Sequence, residues 1–77
     1  MDLSSRPHIA VTGAGGFIGL ALARRLRQDG ASVVGLDIDP AAAPRVEAAG
    51  ATFVAVDTTD PAGVLAALDG CDGVIHT

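Results

Sequence analysis

Thr12-Gly13-Ala14-Gly15-Gly16-Phe17-Ile18-Gly19 can bring bare backbone against an anion. Glycine has no Cβ, so such a turn bends sharply and lets its amides approach a bound group closely. An apolar run, His8-Ile9-Ala10-Val11, precedes it, and an apolar-periodic segment running to about Asp29 follows. That order is strand, turn, helix. The first amides of a helix lack intrahelical acceptors and lie at its positive end, where phosphate is attracted. Two carboxylates stand at the ends of later apolar runs: Asp37, which lies 24 residues beyond Gly13, and Asp57, followed by Thr58. A carboxylate accepts hydrogen bonds from a pair of hydroxyls or from an amino group, and it repels phosphate.

The glycine spacing is G-x-x-G-x-x-G at Gly13, Gly16 and Gly19. The pattern G-x-G-x-x-G would need a glycine where Ile18 stands. A phosphate loop ending in Lys-Ser/Thr is excluded, because the chain has no lysine. Residues 8–29 therefore read as the pyrophosphate-binding βα unit of a dinucleotide fold. Gly13 makes the tight turn, Gly16 admits the pyrophosphate, and Gly19 lets helix and sheet pack closely. The glycines alone fit equally a turn that binds nothing; Asp37 favours the binding reading. Its carboxylate suits both ribose hydroxyls of an adenosine and would repel a 2′-phosphate, which predicts NAD rather than NADP. Asp57 has two open readings, an acceptor for the adenine amino group or a turn-forming cap.

Four apolar runs recur along the chain: 9–11, 32–36, 52–56 and 73–76. They are near-continuous, as parallel strands covered on both faces are. The segments between them are long enough for crossover helices. The first, 17–29, carries Ile18, Leu22 and Leu26 at spacing four, with Ala21 beside them. That stripe is expected to face the sheet, with Leu20, Arg24 and Arg27 off it. The second is interrupted: Asp39-Pro40 resembles a cap and first position, but Pro44 clashes with helix formed before it, so the helix is placed at 44–49. The third starts at Asp60-Pro61, turns Val64, Leu65 and Leu68 inward and stops at Asp69-Gly70. Right-handed crossovers place the first three strands in the order 3-2-1, and in the dinucleotide fold the fourth lies on the far side of the first, so the expectation is a Rossmann-type, doubly wound α/β sheet, β-α-β-α-β-α-β, in strand order 3-2-1-4.

The 77 residues allow one domain at most, with residues 1–7 expected as a flexible leader. At 49% hydrophobic residues and mean hydropathy +0.45 the chain is apolar for its size, which suggests surface that meets something more. A net charge of −4 argues against nucleic acid and anionic membrane as partners. The single cysteine, Cys71, has no disulfide partner within the chain and no metal-ligand cluster around it. The sequence has neither a signal-peptide pattern nor an apolar run long enough to span a bilayer, which makes a cytoplasmic setting the expectation.

These pieces together resemble the N-terminal part of an extended short-chain dehydrogenase/reductase, the NAD-dependent epimerase/dehydratase group. TGAGGFIG at 12–19 matches that family's TGxxGxxG. Leu36-Asp37 resembles its acidic second-strand end, Val56-Asp57-Thr58 its adenine-contacting third-strand end, and Val74-Ile75-His76-Thr77 its fourth strand. The resemblance implies cofactor contacts at Gly13, Gly16, Phe17, Ile18, Gly19, Asp37, Ile38, Asp57 and Thr58, with NAD as cofactor. It also implies hydride transfer between the nicotinamide and a substrate alcohol carbon, by way of a Tyr-x-x-x-Lys pair. This chain contains no tyrosine and no lysine, so no catalytic residue is assigned within it. Residues 8–77 are then a partial domain, expected to belong to a longer protein that supplies the substrate site and is compatible with a homodimer. A non-catalytic, redox-sensing dinucleotide module is the alternative reading. His8 and His76 read as core or rim histidines, Cys71 as a small buried filler, and Arg24, Arg25 and Arg27 as a solvated helix face.

Overall fold

The computed structural model describes residues 6–77. Strand β1 is His8–Thr12, β2 Ser32–Asp37, β3 Thr52–Ala55 and β4 Gly73–His76. They form one parallel sheet in the order β3-β2-β1-β4. Ala10 pairs with Val34 on one side and Val74 on the other, so β1 is the central strand from which the chain winds both ways. Helix α1 is Phe17–Gln28, α2 is Ala43–Ala48 and α3 is Pro61–Leu68. Most of the expected leader lies outside the described residues; the Pro7 carbonyl accepts from the Ser32 amide, 2.8 Å away, just ahead of β1.

The packed side between the sheet and α1 and α2 is built from small residues. Val11, Ala14, Ala23, Ala42 and Val46 are fully buried, with Ala31, Val33, Ala49 and Ala51 nearly so. The expected α1 stripe is corrected here. Gly19 and Ala23 are the buried residues of this helix, Ile18 is 70% exposed and Ala21 is exposed. Leu20, expected off the stripe, packs against the core beside Leu22 and Leu26. The reason is local: a Cβ at Gly19 would collide with the Gly13 carbonyl and come within 2.8 Å of the Ala14 Cα. The helix sits so close that its contact line runs through its smallest residues, and a helix rotates 100° per residue, so the neighbouring Ile18 turns away.

Pro44 is accommodated rather than avoided. A 3₁₀ turn at Pro40–Ala42, capped by Asp39 accepting from the Ala41 amide, precedes α2, and Pro44 falls in the first helical turn, where no amide is required. Helix α3 has no fully buried residue; Leu65, expected inward, is 71% exposed, while Val64 and Leu68 are half-buried. Gly63, Ala66 and Ala67 of α3 line a cleft of about 520 Å³ with Val34, Thr52 and Val54 of the sheet, and a Cβ at Gly63 would come 3.0 Å from Val56 Cγ2, so small residues face the sheet and Leu65 lies off that side. On β4 the apolar side chains Val74 and Ile75 are 49% and 37% exposed. Among the described residues, no helix is long and apolar enough to cross a membrane.

Candidate functional site

Parallel strands place all their C-terminal ends at one edge, and there the glycine turn meets Asp37, Asp57 and His76. Gly13 has φ +61°, the left-handed region where a side chain is strained. It starts a turn closed by the Gly16 amide donating to the Gly13 carbonyl at 3.1 Å. The N-cap of α1 is Gly16, which has no side chain to cap with, and the first helical bond runs from the Leu20 amide to the Gly16 carbonyl at 2.9 Å. The amides of Phe17, Ile18 and Gly19 thus precede the first intrahelical bond and point out of the helix end. A Cβ at Gly16 would touch only the Gly13 carbonyl, at 3.4 Å, so the space over this turn is open.

Asp37 ends β2 and reaches back to the turn. One carboxylate oxygen accepts from the Gly15 amide at 2.9 Å, the other from the Asp39 amide at 3.0 Å. An ionised carboxylate has about four acceptor sites, so two remain for hydroxyl donors. Asp57 performs the turn-forming role: Oδ1 accepts both the Thr59 amide, at 2.8 Å, and the Thr59 hydroxyl, at 2.7 Å. Those bonds hold its carboxyl below the usual aspartate range, the amide contributing most. Oδ2 takes no part in these two bonds, so capping the turn and accepting from a ligand do not compete.

Asp37, Ile38, Asp57 and Thr58 line one cleft of about 180 Å³, together with Gly13. Gly16, Phe17, Ile18 and Gly19 line a second, more apolar one of about 620 Å³, again with Gly13. His76 and Thr77 border both. All nine sequence-derived site residues therefore lie on one continuous edge. Phe17, 92% exposed, and Ile18 present bare apolar side chains at its mouth.

Three further groups shape the edge. The Thr12 hydroxyl meets His76 Nδ1 at 2.6 Å and accepts the Thr77 amide at 3.2 Å. Gly15 and Arg45 are the others: Arg45 Nε donates to the Gly15 carbonyl at 2.9 Å. Gly15 was present in the motif as an unassigned position, whereas nothing in a sequence marks an arginine 30 residues away as its partner. His8 lies at the opposite edge of the sheet, its amide donating to Asp72 Oδ2 at 2.8 Å. Cys71 is half-buried, and burial followed by the nearby Asp72 and Asp69 carboxylates pushes its thiol up, which disfavours the nucleophilic thiolate.

The family model for the NAD dependent epimerase/dehydratase family matches residues 9–77, almost the whole chain. The chain belongs to this family. Its fold is the family's Rossmann-type sheet, and its cofactor class is the family's, NAD. The chain is 43% identical over 72 residues to a 2-alkyl-3-oxoalkanoate reductase from Shewanella oneidensis, covering 90% of this chain and 17% of that protein. Among solved structures it is similar to a nucleoside-diphosphate-sugar epimerase from Pseudomonas aeruginosa, with a TM-score of 0.84 and 30% identity, covering 95% of this chain and 24% of that one. It also superposes on a 3-ketoacyl-(acyl-carrier-protein) reductase from Brucella melitensis complexed with NADH, with a TM-score of 0.69 and 37% identity, over 82% of this chain and 29% of that one. The chain thus spans roughly a fifth of the length of the curated relatives it matches.

Proposed function

We propose that this chain holds the adenosine and pyrophosphate half of NAD for a hydride-transfer enzyme of the epimerase, dehydratase or reductase type. The observation that carries the reading is the convergence on one sheet edge of uncapped first-turn amides and a strand-end carboxylate already hydrogen-bonded to the same glycine turn.

The residues fit the cofactor. The open space over Gly16 leaves room for a pyrophosphate, and the Phe17, Ile18 and Gly19 amides supply donors for it. Asp37 keeps acceptor sites for the ribose hydroxyls and places negative charge where a 2′-phosphate would have to sit. Asp57 Oδ2 and Thr58 stand at the adenine end of the same cleft, with Ile38 as an apolar wall. When bound, NAD supplies a hydride acceptor, and NADH a hydride donor. The chain's own part is to bind and orient: it contains neither the tyrosine nor the lysine that such chemistry uses in this family. Proton transfer at the substrate's hydroxyl oxygen, substrate binding and any homodimer contact are assigned to no residue of this chain. The relatives' names, a reductase of 2-alkyl-3-oxoalkanoates and an epimerase of nucleoside-diphosphate sugars, support a small carbonyl- or alcohol-bearing substrate. The lone cysteine supports a reducing, cytoplasmic setting.

Calorimetric titration of the chain with NAD, AMP and nicotinamide mononucleotide tests this reading. AMP is expected to bind nearly as well as NAD, at roughly 0.1–1 mM, and the mononucleotide not measurably. Tighter binding of the mononucleotide than of AMP, or hydride transfer by the chain alone, would overturn it.

A further inference from the structure

The peptide between Gly15 and Gly16 has glycine on both sides, so little steric cost opposes its rotation by half a turn. Such a flip would exchange the Gly16 amide for the Gly15 carbonyl and set a negative oxygen at the helix end that should receive an anion. In this chain the peptide is tied at both of its polar groups. The Gly16 amide donates to the Gly13 carbonyl, and the Gly15 carbonyl accepts Arg45 Nε at 2.9 Å. The neighbouring Gly15 amide is tied too, to Asp37.

Arg45 is itself seated. Its Nη1 lies 3.4 Å from the Ala41 carbonyl, and Val46, the next residue of α2, is fully buried against the sheet. A Cβ at Gly15 would come 2.5 Å from the Ala42 Cβ and 3.2 Å from Arg45 Nη2. It would also come 2.8 Å from Asp37 Oδ2, so glycine at 15 is what lets Ala42 and the Asp37 carboxylate close on the turn, with the guanidinium beside them. A bond from a guanidinium to a carbonyl is charge-assisted, stronger than its neutral counterpart.

We propose that Arg45 is a positioning residue for the pyrophosphate: held by α2, it fixes the Gly15 carbonyl away from the helix end and keeps the first-turn amides of α1 aimed at the ligand. The proposal rests on the NAD-binding reading above. It makes α2 a working part of the phosphate site, although none of the nine residues assigned to the cofactor lies in α2.

The test is calorimetric titration of the full chain and its Arg45→Ala and Arg45→Lys variants with NAD, ADP and adenosine, with thermal unfolding recorded alongside. Adenosine has the base and ribose but no phosphate. Arg45→Ala is expected to weaken NAD and ADP about five- to tenfold, the value of one hydrogen bond, and adenosine less than twofold. Arg45→Lys keeps the charge but not the Nε donor, and is expected to recover less than half of the lost binding. Should Arg45→Ala fail to fold, Arg45→Gln takes its place with the same expected split. Unchanged NAD and ADP binding in the variant, an equal loss for adenosine, or full recovery by lysine would each overturn the proposal. Failure of the unmutated chain to bind NAD or ADP would instead overturn the reading beneath it, and this proposal with it.

Discussion

The Asp37 carboxylate and the Gly15 amide are joined by a 2.9 Å hydrogen bond that spans 22 residues of sequence. It ties the end of β2 to the turn that follows β1, so the group that would select the ribose also braces the turn that would hold the phosphates. Substitution at Asp37 therefore has two effects that must be separated.

Asp37→Ala removes the ribose acceptor, the repulsion of a 2′-phosphate and the anchors of the Gly15 and Asp39 amides. The preference for NAD over NADP is expected to narrow, with a stability loss of about 1–2 kcal/mol for the two bonds of this partly exposed group. Titration with both cofactors and a thermal melt read the two effects separately. Tighter NADP binding by the unmutated protein would contradict the assignment.

Gly16→Val and Gly19→Val are expected to differ. A side chain at 16 meets open space, so the fold tolerates it while dinucleotide binding is lost. At 19 the added carbon strikes the Gly13 carbonyl and separates α1 from the sheet, so Tm falls along with binding. Equal melting shifts with binding retained in both would refute the division of roles.

Asp57 yields a pH prediction. Its two bonds from Thr59 lower the carboxyl below the usual 3.8. A group depressed on folding contributes stability that is present above its unfolded value and is lost as pH falls through the folded one. The contribution of Asp57 should therefore disappear only below about pH 3.8, and carboxyl NMR should place its midpoint under that value. Thr59→Ala removes the smaller of the two causes, so the midpoint should rise partway and no further. An unmoved midpoint in that variant would contradict the hydroxyl's part.

Val46 and Phe17 should respond oppositely to alanine. Val46 is fully buried between α2 and the sheet, so truncation is expected to cost about 2 kcal/mol, a fall of roughly 8–16 °C in Tm for a domain this small. Phe17 is 92% exposed, and its truncation should stay within about 0.5 kcal/mol. Chemical denaturation of both variants measures the contrast.

The sequence by itself determined the strand order, the glycine turn and the placing of Asp37 and Asp57 at strand ends. Near-continuous apolar runs mark parallel strands, and glycine, aspartate and proline mark where they stop, so the turn and the strand ends are local features; the order followed from crossover handedness and the pattern of the dinucleotide fold. It did not determine which face of a helix touches the sheet. The leucine spacing in α1 pointed to Ile18, but contact followed Gly19 and Ala23, because how closely two elements approach depends on both surfaces at once. Leu65 differs for a related reason: Gly63, Ala66 and Ala67 are the α3 residues that turn toward the sheet, so the smallest side chains again mark the contact line and Leu65 lies off it. Arg45 was invisible for the most general reason. Its partner is a backbone carbonyl, which every residue possesses, and only the packing of α2 beside the turn selects that of Gly15.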